Sequence, residues 1–220
     1  MCIIIAKRAG ANFDMDELKD ATEKASIHNS HGAGFSLKKE GSNNILLSKG
    51  YWYHELLLDR LEELEIEKGD ELMIHMRYAT SGNVDTANCH PYVVAEHIDD
   101  ILIDEAILTD NAVVSHNGTF HMYSDKDSDH SDTVNYIEQY LSADGILDAM
   151  RAIEQADYFQ MYKLMTGNRL CIMHPDKNKD MDTFGYWNKR KDDSFVYSNY
   201  YHIQPHNGYK LETTNREKVQ

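Results

Sequence analysis

The spacing of hydrophobic positions changes several times along the chain. Cys2-Ile3-Ile4-Ile5-Ala6 is a short run rich in β-branched side chains, which pack best on a pleated surface, so a buried strand is predicted from the second residue. Behind it Asp14 stands three positions before Glu17, a helix-capping arrangement, and Met15, Leu18, Ala21 and Ala25 follow near helical spacing; this predicts a first helix ending near His31-Gly32. Residues 34–37 and 44–48 read as strands around a Gly41-Ser42 turn, and residues 51–65 return to helical spacing through Leu57, Leu58, Leu61 and Leu64. Residues 71–78 are strand-like, and 92–95, 100–104 and 112–115 are predicted as further short strands between Asn and Asp turn signals. Val134, Ile137 and Leu141 form a helical face after Asp132, and Ile146, Met150 and Ile153 suggest another helix. Residues 162–165, 170–173, 184–187 and 195–197 close the chain as short, turn-separated strands, the pattern of antiparallel sheet.

Strand groups and helix groups are clustered along the chain, which favours α+β, with helices covering antiparallel sheets, over a doubly wound parallel fold. The 220 residues show no composition break and no internal repeat, so one domain spanning 1–220 is expected, with a loose polar tail from about residue 213. Hydrophobic residues make up 41% and charged residues 27%, values that fit a folded globular protein. The net charge of −15 is spread along the chain with no polybasic stretch, which argues against nucleic acid and anionic membranes as partners. No apolar run is long enough for a signal segment or a bilayer span, so a cytoplasmic location is expected. Three widely spaced cysteines, Cys2, Cys89 and Cys171, fit neither a disulfide framework nor a paired-thiolate zinc site.

Cysteine at position two matters because methionine is normally removed before a small second residue, which would leave a thiol and an α-amine on one residue. An α-amino pKa of about 7.7–8.0 lets that amine act as a base at neutral pH. Further along, Arg77 ends an apolar strand within His75-Met76-Arg77-Tyr78-Ala79-Thr80-Ser81-Gly82, where its fork could clamp a carboxylate. Asn88-Cys89-His90-Pro91 follows, then Ser115-His116-Asn117-Gly118-Thr119, then Ser131-Asp132-Thr133 at the start of a helix. Each segment has a plainer reading when taken alone: a buried small residue, a surface ion-pair partner, a hairpin turn and an N-cap.

Taken together and in this order, the segments resemble class II glutamine amidotransferases, N-terminal-nucleophile hydrolases that begin Met-Cys and carry His-x-Arg-Tyr/Trp-Ala-Thr-x-Gly, Asn-x-His-Pro, His-Asn-Gly and Ser-Asp-Thr. The resemblance runs from residue 2 to about Asp132 and implies a four-layer αββα sandwich of two antiparallel sheets. It implies that Cys2 attacks the side-chain amide of glutamine while its free amine shuttles the proton to departing ammonia, and that the Asn117 side chain and Gly118 N–H form the oxyanion hole. Arg77 would bind the substrate α-carboxylate and Asp132 its α-ammonium, with Thr80 and His90 lining the pocket. Val134 after Ser-Asp-Thr and Cys89 between Asn88 and His90 depart from the usual residues. The synthase domain to which such units are commonly joined has no counterpart in these 220 residues, so the ammonia acceptor is expected on a separate synthase. Two alternatives share the fold: a free-standing hydrolase of a γ-glutamyl amide, and a regulatory or binding subunit without turnover.

No cofactor is implied. Among the twelve histidines, His28 with His31, and His116 with His121 and His130, reproduce no recognised ligand spacing, so no metal site is expected. The acidic stretch 125–132 lacks the glycine a calcium loop needs and reads as solvated.

Overall fold

The structure is a computed structural model that describes residues 2–121, 123–124, 128–140, 145, 148, 167–190, 194–200 and 202–203. It is α+β, with two antiparallel sheets. Strands β1 (Ile3–Lys7), β2 (Ala33–Lys38), β3 (Ile45–Tyr51), β4 (Glu71–Met76), β6 (Ile107–Thr109), β10 (Asn188–Lys189) and β11 (Val196–Tyr197) form the larger sheet in the order β10-β11-β1-β4-β2-β3-β6. The smaller sheet has the order β5-β7-β8-β9, from Tyr92–Val93, Val113–Asn117, Arg169–Met173 and Asp182–Phe184. The helices are α1 (Met15–Ser26), α2 (His54–Glu63), α3 (Ile98–Ile101) and α4 (Asp132–Tyr140).

Alternation along β1 shows how the layers meet. Ile3 and Ile5 join a core with Phe35, Leu37, Leu72 and Ile74 and with Leu18, Ala21, Leu57 and Leu61 of α1 and α2. Ile4 and Ala6 join a second core with Met73 of the same sheet, Val114 and Ile172 of the smaller sheet, and Val134 and Ile137 of α4. Because successive strand side chains point to opposite faces, a strand packed against apolar cores on both faces favours apolar residues at every position, as Ile3–Ala6 shows. The larger sheet is thus covered by α1 and α2 on one face and by the smaller sheet on the other. Cys2 stands at one end of β1 and Lys7 at the other, where the buried Lys7 Nζ donates to the Asp70 carbonyl at 2.6 Å.

Several expected boundaries move. Residues 100–104 do not form a strand: residues 98–101 are helical, with Ile98 and Ile101 three positions apart packed against the inter-sheet core and Asp99 and Asp100 in the first turn, where a helix favours negative charge. The first helix stops at Ser26, not near His31, because the His28 and Asn29 N–H groups both close back onto the Ala25 carbonyl. Residues 27–32 then turn the chain into β2. The strand expected over 71–78 ends at Met76, and that expected over 184–187 is Asp182–Phe184, after which Gly185, at φ +88°, turns the chain. Strand β6, at the edge beside β3, carries no clear alternation and was not anticipated. The expected strand at 162–165 and the loose tail lie outside the described residues, as does most of the helix expected around Ile146–Ile153.

Candidate active site

Cys2 is half-buried as a residue, but its sulfur is set in far enough that loss of water pushes the thiol above its ordinary pKa. The Tyr78 N–H donates to Sγ at 3.3 Å, and this bond together with the positive charge of Arg77 pulls the other way; the carboxylate of Asp132 adds to the upward push. Arg77 and Asp132 are thus both near enough to act electrostatically on the thiol. The Asn199 Nδ2 donates to the Cys2 carbonyl at 2.6 Å and holds the residue from the opposite end of the chain. Met1, and with it the question of the free α-amine, lies outside the described residues.

Arg77 follows β4 and is 2% exposed. Its Nη1 donates to the Asn83 carbonyl at 2.6 Å and its Nη2 to the Ser81 carbonyl at 3.0 Å, which fixes the plane of the guanidinium and uses two of its five N–H groups. No carboxylate pairs with it among the described residues. Asp132, 6% exposed, opens α4 and accepts the Phe120 N–H at 2.5 Å through Oδ2. It too lacks an ion partner among the described residues. Buried charges are normally paired, and among the described residues neither of these two has an ion-pair partner.

The turn after β7 supplies hydrogen-bond donors. The Thr119 N–H goes to Asn168 Oδ1 at 3.2 Å and the Phe120 N–H to Asp132, whereas the Gly118 N–H has no acceptor among the described residues. Gly118 sits at φ +153°, and a Cβ there would lie 2.4 Å from Asn168 Oδ1. Beside it the Asn117 side chain is buried, with Nδ2 2.8 Å from Ser198 Oγ and Oδ1 without a donor. His116 locks the turn from below, 2.9 Å from Thr133 Oγ1 through Nδ1 and 2.9 Å from Asn168 Oδ1 through Nε2. Since that Asn168 oxygen also accepts the Thr119 N–H, it is an acceptor, and His116 carries its proton on Nε2.

The motif segments interlock. Asn88 Oδ1 accepts the Ser131 N–H at 3.1 Å, Tyr92 Oη donates to the Asn88 carbonyl at 2.7 Å, and Ser131 Oγ caps α4 at the Val134 N–H. Gly82, at φ +72°, lets the Arg77 loop close onto the same helix start, where a Cβ would lie 2.7 Å from the Ser131 nitrogen. Cys2, Arg77, Asn117, Gly118 and Asp132 are therefore held in one connected frame. Thr80 is exposed on the loop three residues beyond Arg77 and joins none of these bonds. His90 is 5% exposed, its ring 4.1 Å from that of His75 and 4.4 Å from that of Tyr92 by centroid, with no hydrogen bond to either nitrogen. It packs in the inter-sheet interior.

Sequence reasoning missed Ser198 and Asn199, two small polar residues in a C-terminal stretch without a motif. It also missed His31, whose Nδ1 accepts the Ala79 N–H at 3.0 Å and whose ring stacks on Tyr78 at 5.1 Å. Lys49 is a further buried cation, bonded to the Ala87 carbonyl at 2.8 Å and 5.0 Å from the Tyr92 ring centre; burial lowers it to about 8. Among the described residues no cluster of three or more His, Cys, Asp or Glu side chains is placed to hold a metal ion, and no described helix is long and apolar enough to cross a membrane. The chain matches no family model and no curated protein.

Proposed function

We propose that this chain is a glutaminase of the class II glutamine amidotransferase type, with the four-layer αββα N-terminal-nucleophile fold, and that it supplies ammonia to a separate synthase. The observation that carries this reading is the pair of buried, oppositely charged side chains, Arg77 and Asp132, that lack an ion partner among the described residues and both act electrostatically on the Cys2 thiol. Free glutamine offers the matching α-carboxylate and α-ammonium, and a glutaminyl side chain within a peptide offers neither. With the two charges seated, the γ-amide carbon extends toward Sγ and its oxygen toward Gly118 N–H and Asn117.

The thiol is pushed up by burial, so it needs a base to ionise. Once Met1 is removed the α-amine of Cys2 is that base: it takes the thiol proton as the S–C bond forms and returns it to the amide nitrogen as the C–N bond breaks and ammonia leaves. Water then cleaves the thioester to glutamate and restores the thiol. The oxyanion donors contribute about 3 kcal/mol each to the tetrahedral state.

The test is mass spectrometry of the purified protein before and after exposure to 6-diazo-5-oxo-L-norleucine, with ammonia release from glutamine measured on the same sample. Loss of Met1, one adduct on Cys2 and turnover abolished by Cys2→Ala are expected. Intact Met1 with no adduct and no ammonia would overturn the reading.

A further inference from the structure

Asn117 can donate to a developing oxyanion only if its Nδ2 faces the reacting carbon, and an isolated amide has no reason to choose between its two orientations. Ser198 supplies the reason. It lies directly after β11, is fully buried, and its Oγ accepts the Ile4 N–H at 2.8 Å while its own N–H donates to the Ile4 carbonyl at 3.0 Å. With one acceptor position taken by Ile4, the hydroxyl proton must go elsewhere, and the Asn117 amide is 2.8 Å away.

When Nδ2 faces Ser198, two defects arise together: Asn117 Oδ1 is buried without a donor, and the Ser198 hydroxyl proton has no acceptor among the described residues. Amide oxygen and nitrogen are told apart by such networks. Half a turn of the amide lets Oδ1 accept the Ser198 proton and places Nδ2, a donor, where no protein group offers an acceptor. Leaving a buried polar atom unpaired is costly, so this orientation is completed when a substrate oxygen supplies the acceptor that Nδ2 lacks.

Resting on the glutaminase reading, we propose that Ser198 is a positioning residue that sets the Asn117 amide with its Nδ2 toward the substrate oxygen, and so orients half of the oxyanion hole. The same short segment holds the nucleophile, since Asn199 binds the Cys2 carbonyl. The C-terminal Ser198-Asn199 pair thus ties β1, which carries Cys2, to the end of β7, which carries Asn117.

The experiment compares the full-length wild type with Ser198→Ala and Ser198→Thr in glutamine turnover and in affinity for L-glutamate γ-semialdehyde. The Cys2 thiol adds across the aldehyde of this analogue, and the resulting oxygen occupies the oxyanion position. Ser198→Ala is expected to lower kcat by about tenfold to a hundredfold, within the range for loss of an oxyanion donor, and to weaken semialdehyde binding by a similar factor. KM should change less than about twofold, since substrate charges are held by Arg77 and Asp132. Ser198→Thr, which keeps the hydroxyl, should recover most of kcat. If Ser198→Ala does not fold, Ser198→Cys, a weaker donor, is read in the same way. An active wild type with a fully active Ser198→Ala would overturn the inference and leave the glutaminase reading standing; so would a loss in kcat that the unfolded fraction accounts for. A wild type that neither turns over glutamine nor binds the semialdehyde removes both.

Discussion

One missing methyl group at Gly118 sets the shape of the candidate oxyanion turn. An alanine Cβ there would lie 2.4 Å from Asn168 Oδ1, 2.7 Å from the Gly167 carbonyl and 2.8 Å from His116 Nε2, at a φ that L side chains rarely adopt. Gly10 and Gly41 also have positive φ but face open space, so their substitution brings backbone strain without a clash. Gly118→Ala is therefore expected to cost about 2–4 kcal/mol in urea unfolding, from strain and displaced hydrogen bonds together. Ammonia release should fall at least a hundredfold, while iodoacetamide should still label Cys2 in the folded fraction. Retained turnover would show that the turn accommodates a Cβ without moving the Gly118 N–H, against the clash expected here. Asn117-Gly118 was legible in the sequence because a turn glycine after a buried strand and an ordered set of motifs both mark it. Ser198 was not legible: its meaning comes from contact with Ile4, 194 positions away, and no local pattern records that.

At the scale of elements, the site end of the two sheets is backed by three buried histidines, His75, His90 and His116. His75 of β4 reaches the His116 carbonyl of β7 through Nε2 at 3.2 Å, and the His90 ring lies against His75. Burial away from water holds all three below the ordinary imidazole pKa, His75 at about 3, so at pH 7 they are neutral in the folded and largely neutral in the unfolded protein. As pH falls below 6.5 the unfolded chain takes up protons that the folded one refuses, so stability is complete above that value and is lost toward the folded pKa values. Melting temperature should accordingly fall between pH 6.5 and 5, where most carboxylates are still ionised, and His90→Phe should reduce the slope. A flat profile would contradict neutral burial. Strand β1 could be read in advance because both its faces are apolar, and β2, β4 and β7 because each carries a short run of apolar positions bounded by turn signals. Helix α3 was missed because the apolar run Ile101-Leu102-Ile103 reads as the middle of a strand over 100–104, whereas the packing of Ile98 and Ile101 against the inter-sheet core holds 98–101 as a helical turn.

For the whole molecule, the question is whether its net charge of −15 outweighs its ion pairs. Among the described residues the exposed pairs include Lys24 with Asp20 on α1, Arg60 with Glu63 on α2, and Lys19 of α1 with Glu62 of α2. Exposed pairs of this kind contribute roughly 0–1 kcal/mol each and weaken in salt. Buried Lys38–Glu71, at 2.7 Å, is little affected by salt. Against them stands the self-repulsion of fifteen unbalanced charges within a radius of about 17 Å, on the order of 10 kcal/mol or more in unsalted water and partly relieved when the chain expands. Among the described residues Arg77 and Lys49 are buried without a carboxylate partner, so neither adds an ion pair against this repulsion. Repulsion is therefore the larger effect, and it is screened as the Debye length shrinks from about 30 Å at 0.01 M to about 8 Å at 0.15 M. Raising sodium chloride from 10 to 200 mM at pH 7.5 should increase the melting temperature by several degrees in differential scanning fluorimetry. A decrease would mean that the exposed pairs, including the bridge from Arg190 to Asp20 at 2.9 Å, hold the folded state more strongly than fifteen like charges oppose it.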